Sequence, residues 1–176
     1  ATEQPNATGD GPAALTLRFW VATLATGVCA GLVGVLMMLL LFAVEDAAFP
    51  GASSGFQAAV QHASDLRRLL PLVFAGAIAG PGGFVLRRFT STQRSEVDDA
   101  LWSGDGSLSL PRSLGTSALS EFVVGAGASI GREAAPKLLG GVSGSLVASW
   151  LGLSPPQRRL LVACGAAAGV ASAYNA

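Results

Sequence analysis

The sequence predicts an all-α protein that crosses a membrane several times through tilted and broken helices. Three observations carry this. Charged residues make up only 12% of the 176 positions, about half of the roughly 25% usual in soluble domains. Long uncharged apolar runs occupy the first half of the chain. Shorter Gly- and Ala-rich runs, separated by charged or Pro-containing breaks, occupy the second. A mean hydropathy of +0.52 agrees. The balance of 11 Lys+Arg against 11 Asp+Glu excludes an electrostatic nucleic-acid binder. The apolar content excludes disorder except at the ends.

Taken in order, Ala1 to Leu15 is rich in Pro, Gly, Thr and Asn and reads as a flexible tail. Residues 16–176 then form one transmembrane domain. The uncharged run from Phe19 to Val44 would span roughly 39 Å as a helix at about 1.5 Å per residue. That exceeds the roughly 30 Å hydrocarbon core of a bilayer. The run is too long for a cleaved signal sequence and ends at Glu45 and Asp46, so it reads as a retained span. A second run, Leu69 to Leu86, lies between Arg67 and Arg68 on one side and Arg87 and Arg88 on the other, with Pro71 and Pro81 inside. It is expected to cross kinked or tilted. Positive charge at Arg87, Arg88 and Arg94 places that end, and with it the N-terminus, in the cytoplasm, against the opposing vote of Arg67 and Arg68.

The runs Ser117 to Ile130, Leu138 to Leu153 and Leu160 to Ala173 are each too short to span comfortably. Helices that stop inside a membrane are tolerated only where the broken backbone is buried in protein or lines a polar cavity. That pattern marks transport sites; the alternative is a set of re-entrant packing segments without a transport role. Glycines at small-xxx-small spacing (Gly27 and Gly31, Gly76 and Gly80, Gly140 and Gly144, Gly165 and Gly169) favour close helix packing. Cys29 and Cys164 sit in apolar runs without metal-ligand spacing and read as small buried hydrophobes. With His62 the single histidine, neither a zinc nor a haem site can be assembled, and no cofactor is expected.

The stretch Gly125 to Gly141, GAGASIGREAAPKLLGG, holds the chemistry. Glu133 is flanked by segments that look intramembrane, and an ionisable group there is costly enough to mark a functional candidate. The alternative is a surface charge beside Arg132. If a helix starts near Glu133, the N–H groups of Glu133, Ala134 and Ala135 lack intrahelical partners and carry the positive end of the dipole. Such a terminus binds an anion without a cationic side chain, loosely enough for a halide to enter and leave. Glu133 then acts as a tethered competing anion: ionised it fills the site, protonated it swings away.

Here the sequence resembles the CLC family of chloride channels and proton-coupled chloride transporters. GREAAPKLLGG at Gly131 to Gly141 is similar to the family's GREGP with a Gly-Gly pair at the same spacing. GAAAGVASAYNA at Gly165 to Ala176 resembles GAAAGxxAAFNAP, with Tyr174 for the usual Phe. The motif residues are Gly131, Arg132, Gly140 and Gly141. The resemblance implies a CLC-type fold, here the first of two inverted repeats, and a homodimer. It implies that Glu133 is the gate and proton carrier, with Ala134 and Ala135 where the family has Gly and Pro. The family's GSGIP motif aligns with Ser91 to Ser95, which puts Thr92 at the position of the anion-coordinating serine and replaces both glycines and the proline. The partners implied are chloride or another small anion, protons and the lipid bilayer. Channel and exchanger use the same glutamate, and the altered motif leaves nitrate and fluoride open beside chloride. The family continues past Asn175 and Ala176 with a proline and a second half, so the chain is expected to be part of a longer protein.

Two other classes compete with this reading. FVVGAGASIG looks like a strand entering a glycine-rich turn, near a dinucleotide fingerprint, but the third glycine falls at Ile130 and no acidic residue follows Glu133. An enzyme is therefore not expected. A CLC-like scaffold that packs without conducting draws support from the altered GSGIP region, while retention of Glu133 argues against it. Glu121 reads as a structural partner of Arg132 or of a helix end, and Asp98, Asp99 and Asp105 as a solvated acidic loop.

Overall fold

The computed structural model describes residues 16–52, 55–89, 97–102 and 104–174. The expected tail at residues 1–15 and the stretch that holds Thr92 lie outside them. Helix α1, Leu17–Ala48, is apolar on all sides. It starts where the Thr16 hydroxyl accepts the Phe19 N–H at 3.4 Å, an N-cap that satisfies one of the orphan donors of the first turn. It does not end at Glu45 and Asp46. The acidic pair lies within its last turn, and the Phe49 N–H closes the helix on the Glu45 carbonyl at 2.8 Å. Isolated charges do not interrupt helical hydrogen bonding, so they mark where apolar surface ends rather than where the helix ends.

A short helix α2, Phe56–His62, leads into α3, Asp65–Phe89. Arg68 caps α2 by donating to the Val60 and Gln61 carbonyls at 2.9 and 2.7 Å. Helix α3 continues through Pro71 and Pro81, with Asp65 in its first turn and Arg87 and Arg88 in its last, the arrangement the helix dipole favours. Both α1 and α3 are long and apolar enough to cross a membrane, and only 17% and 6% of their most apolar windows are buried within the protein.

Helices α4 (Val97–Trp102), α5 (Leu110–Gly125), α6 (Ala134–Trp150) and α7 (Pro155–Tyr174) follow. Helices α5, α6 and α7 correspond to the three short apolar runs, with α5 ending before Ile130 and α5 and α7 beginning several residues early because Pro111 and Pro155 are compatible with a first turn. The start of α7 is capped by Gln157, whose side-chain oxygen accepts the Ser154 N–H and hydroxyl at 3.1 Å each.

Helices α6 and α7 form the centre. Gly140 and Gly165 touch backbone to backbone, Gly144 lies on the Leu161 carbonyl and Gly169 on that of Pro136, so that a Cβ at any of the four would strike the opposing main chain. Gly141, next to Gly140, meets side chains instead: Val97 of α4, Leu108 of the following loop and Val162 of α7. The Gly-Gly pair thus serves two contacts, one to α7 and one to α4 and its following loop. Val97, Ala100, Leu108, Val142, Val162 and Ala166 form one apolar cluster there, and Phe19, Ala22, Ala148, Leu153 and Leu161 form a second against α1.

Two expectations are corrected. Cys29 and Cys164 are free and exposed on the outer faces of α1 and α7. In a membrane protein the outward face is as apolar as the core, so an apolar neighbourhood does not locate a residue inside. Asp98, Asp99 and Asp105 do not make one acidic loop. Asp98 and Asp99 open α4, and Asp98 lies 3.7 Å from the Lys137 ammonium of α6. Asp105 accepts the Ser107 hydroxyl at 2.6 Å and N–H at 3.1 Å and faces Arg158 of α7 at 3.4 Å.

Candidate functional site

The site is built where α5 stops and α6 starts. Helix α5 closes on a Schellman motif: the Gly127 N–H donates to Val124 and the Ala128 N–H to Val123, at 2.9 and 3.2 Å. Gly127 takes the left-handed position with φ +106°, where a side chain would be strained. The chain then turns again at Gly131, φ +89°. FVVGAGASIG is therefore the end of a helix and a turn, not a strand, and the dinucleotide reading falls.

Helix α6 begins at Ala134 with Glu133 as its N-cap, and the Lys137 N–H donates to the Glu133 carbonyl at 3.0 Å. The N–H groups of Glu133, Ala134 and Ala135 precede the first intrahelical bond. Pro136 stands next, at a first-turn position where its missing donor costs nothing. The Glu133 carboxyl is folded back over Gly131: a Cβ placed on that glycine would lie 2.5 Å from Oε1 and 2.9 Å from Cδ. Glycine at 131 thus permits both the turn and the position of the carboxyl beside the helix end. Ala134 is exposed and Ala135 is buried, its carbonyl accepting the Ser117 hydroxyl of α5 at 3.4 Å. The Asp98–Lys137 pair sets the start of α4 beside the first turns of α6.

Beside the turn lies a cavity of about 780 Å³ whose lining includes Phe42, Glu45, Phe56, Ser129, Gly131 and Arg132. It reaches Gly131 and Arg132, while Glu133, Ala134 and Ala135 are not on its wall. Glu121 of α5 is 1% exposed, and among the described residues neither carboxyl oxygen finds a hydrogen-bond partner. Its electrostatic neighbours are Glu45 of α1 and Arg132. The expected pairing with Arg132 is thus a through-space interaction, not a contact ion pair. The spacing of Ser113, Ser117, Glu121 and Gly125, four residues apart on the buried face of α5, was the signal available for its burial.

The model of the voltage gated chloride channel family matches residues 75–176, which include the turn, α6 and α7. The chain belongs to the CLC family. Both motifs that carry the resemblance fall inside the matched residues. A voltage-gated ClC-type chloride channel ClcB of Yersinia pestis is 34% identical over 163 residues, 91% of this chain and 39% of its own length. A ClcB-like protein of Ralstonia nicotianae is 40% identical over 131 residues, 72% of this chain and 30% of its own. A ClcB channel of Shigella flexneri is 36% identical over 121 residues, 67% of this chain and 28% of its own. The chain thus spans well under half the length of these relatives. No solved structure matches it significantly. CLC membership and the two long apolar helices make this an integral membrane protein, with an all-helical architecture among the described residues, in a family named for chloride channels rather than enzymes.

Of the sequence-predicted residues, Gly131, Arg132, Glu133, Ala134 and Ala135 come together at one helix start, while Gly140 and Gly141 act at a distance as packing positions.

Proposed function

We propose that the protein carries anions across the membrane, chloride first among them, through a CLC-type pathway in which Glu133 is the gate. The observation that supports this best is the position of Glu133. Its backbone caps α6, its side chain lies back over Gly131, and the N–H groups ahead of the first intrahelical bond stand beside it. A permeant anion and the Glu133 carboxylate compete for the same donors, so only one holds the helix end at a time. Protonating the carboxyl removes its charge and frees the donors. Thr92, adding a hydroxyl to the same anion, and the Ala134 and Ala135 amides complete this half of the site. The remainder of the pathway, the coupling to protons and a homodimeric assembly belong to the same reading.

Chloride efflux from liposomes holding the complete protein tests it. Glu133→Gln is expected to keep or increase the anion flux and to lose its pH dependence. Wild-type pH dependence in that variant would remove Glu133 from the gate, and a wild-type protein with no flux would favour a CLC-like scaffold.

A further inference from the structure

We propose that Glu45, Glu121 and Arg132 form a proton site, in which the two carboxyl groups hold one proton between them and the guanidinium balances the remaining charge. The seam between α1 and α5 brings the carboxyls together. Gly125, the last residue of α5, lies against the Leu41 carbonyl and the Val44 side chain of α1, so close that a Cβ would strike Val44. Glu121 stands one turn before Gly125 on the buried face of α5, and Glu45 follows Val44 directly in α1. Glu45 and Arg132 line the cavity of about 780 Å³ together with Val124, three residues along α5 from Glu121.

Charge balance sets the number of protons. Glu121 is 1% exposed and its carboxyl oxygens accept no hydrogen bond among the described residues, so no donor there solvates an ionised carboxylate. Its charged neighbours are Glu45 from α1 and Arg132 from the turn before α6; α3 and α6 contribute none among the described residues. Lys137, on the first turns of α6, lies against Asp98 instead. Two carboxylates and one guanidinium leave one negative charge in excess, which is costly in a buried seam. Binding one proton removes that charge, and binding a second would leave the guanidinium unbalanced. The proton arrives from water in the cavity, on whose wall Glu45 is half-buried, and adds to a carboxylate oxygen without breaking another bond. Because two interacting carboxyls titrate together, it belongs to the pair rather than to either residue. A metal ion is a poorer occupant, since the Arg132 guanidinium already supplies a positive charge. On the reading of Glu133 as the gate, the site keeps a proton at the cavity wall beside the gate's turn; the proton site itself stands without that reading.

Infrared spectroscopy of the complete protein at neutral pH tests this through the C=O band of protonated carboxyl groups, read as the difference between parent and variant. Every sample, the parent included, carries Glu133→Gln, so that the gate contributes nothing. Glu121→Gln and Glu45→Gln are each expected to lose one band component, since either leaves a single carboxylate balanced by Arg132. Arg132→Gln is expected to gain a component of similar size, because both carboxyls then bind protons. A band unchanged by Glu121→Gln would overturn the proposal, with both carboxyls ionised and their charge met elsewhere in the protein. Loss in Glu121→Gln but not in Glu45→Gln would overturn it in favour of Glu121 neutralised by burial alone. A band unchanged by Arg132→Gln would overturn the guanidinium's part in the balance.

Discussion

At the α6–α7 contact two helices meet backbone to backbone, while α1 and α3 carry glycines at the same four-residue spacing that face open space among the described residues. Gly140 and Gly165 exclude each other's Cβ, and the Leu161 carbonyl excludes one at Gly144; at Gly27, Gly31, Gly76 and Gly80 an added Cβ would meet no described atom within 4 Å. The difference lies in the partner. Within a membrane no hydrophobic force draws helices together, and the gain comes from dispersion and polar contacts at short range. A glycine spacing is realised only where the opposing helix presents its main chain, as Gly165 does to Gly140 and the Leu161 and Pro136 carbonyls do to Gly144 and Gly169. The spacing licenses a close approach and does not select its partner.

The contrast breaks most visibly at Gly140. Gly140→Ala puts a methyl group on the Gly165 carbonyl and is expected to destabilise the protein by about 2–3 kcal/mol, read as a lower midpoint of thermal unfolding in detergent. An unchanged midpoint would mean that α6 and α7 separate at little cost.

At the seam between α1 and α5, Glu121 buries a carboxyl that has no hydrogen bond among the described residues. Glu121→Met is expected to stabilise by about 1–2 kcal/mol, because the cost of burying the polar group disappears. A lower unfolding midpoint would show that a group from elsewhere in the protein satisfies it.

On the open side, Gly27→Ala and Gly76→Ala are expected to be neutral or to stabilise by up to about 1 kcal/mol through helix propensity. Destabilisation by either would identify a face that another segment or subunit covers.

The smallest effect is expected at Asp105, which ties the loop before α5 to α7. The Ser107 hydroxyl first, then its N–H and Arg158, hold the Asp105 carboxyl below its ordinary range. A depressed folded pKa stabilises above the unfolded value near about 3.9 and is lost as pH falls through the folded one. Asp105→Asn should therefore flatten the acid limb of stability below about pH 4, and only slightly, since the side chain is 53% exposed. A full acid limb in the variant would assign it to other carboxylates.

Much of the candidate site was legible. A charge inside a Gly- and Ala-rich break points to a helix start in a low-dielectric setting, and α6 does begin beside Glu133. The Gly-Gly pair was readable as a motif, but its reason was not: Gly140 meets the α7 main chain and Gly141 the side chains of α4, its loop and α7, which depends on where α4 and α7 pack. The exposure of Cys29 and Cys164 escaped because lipid-facing and buried positions share one composition. The Asp98–Lys137 and Asp105–Arg158 pairs escaped because each joins residues dozens of positions apart.

By itself the sequence determined the helical class, the two long apolar spans, the family and the residues beside the α6 start, because these rest on composition, local hydrogen bonding and contiguous motifs. Only the tertiary structure decided which glycines touch, that Cys29 and Cys164 face outward, and that Glu121 is buried with no hydrogen bond among the described residues. Those outcomes depend on helix register and orientation, which arise from contacts between segments distant along the chain.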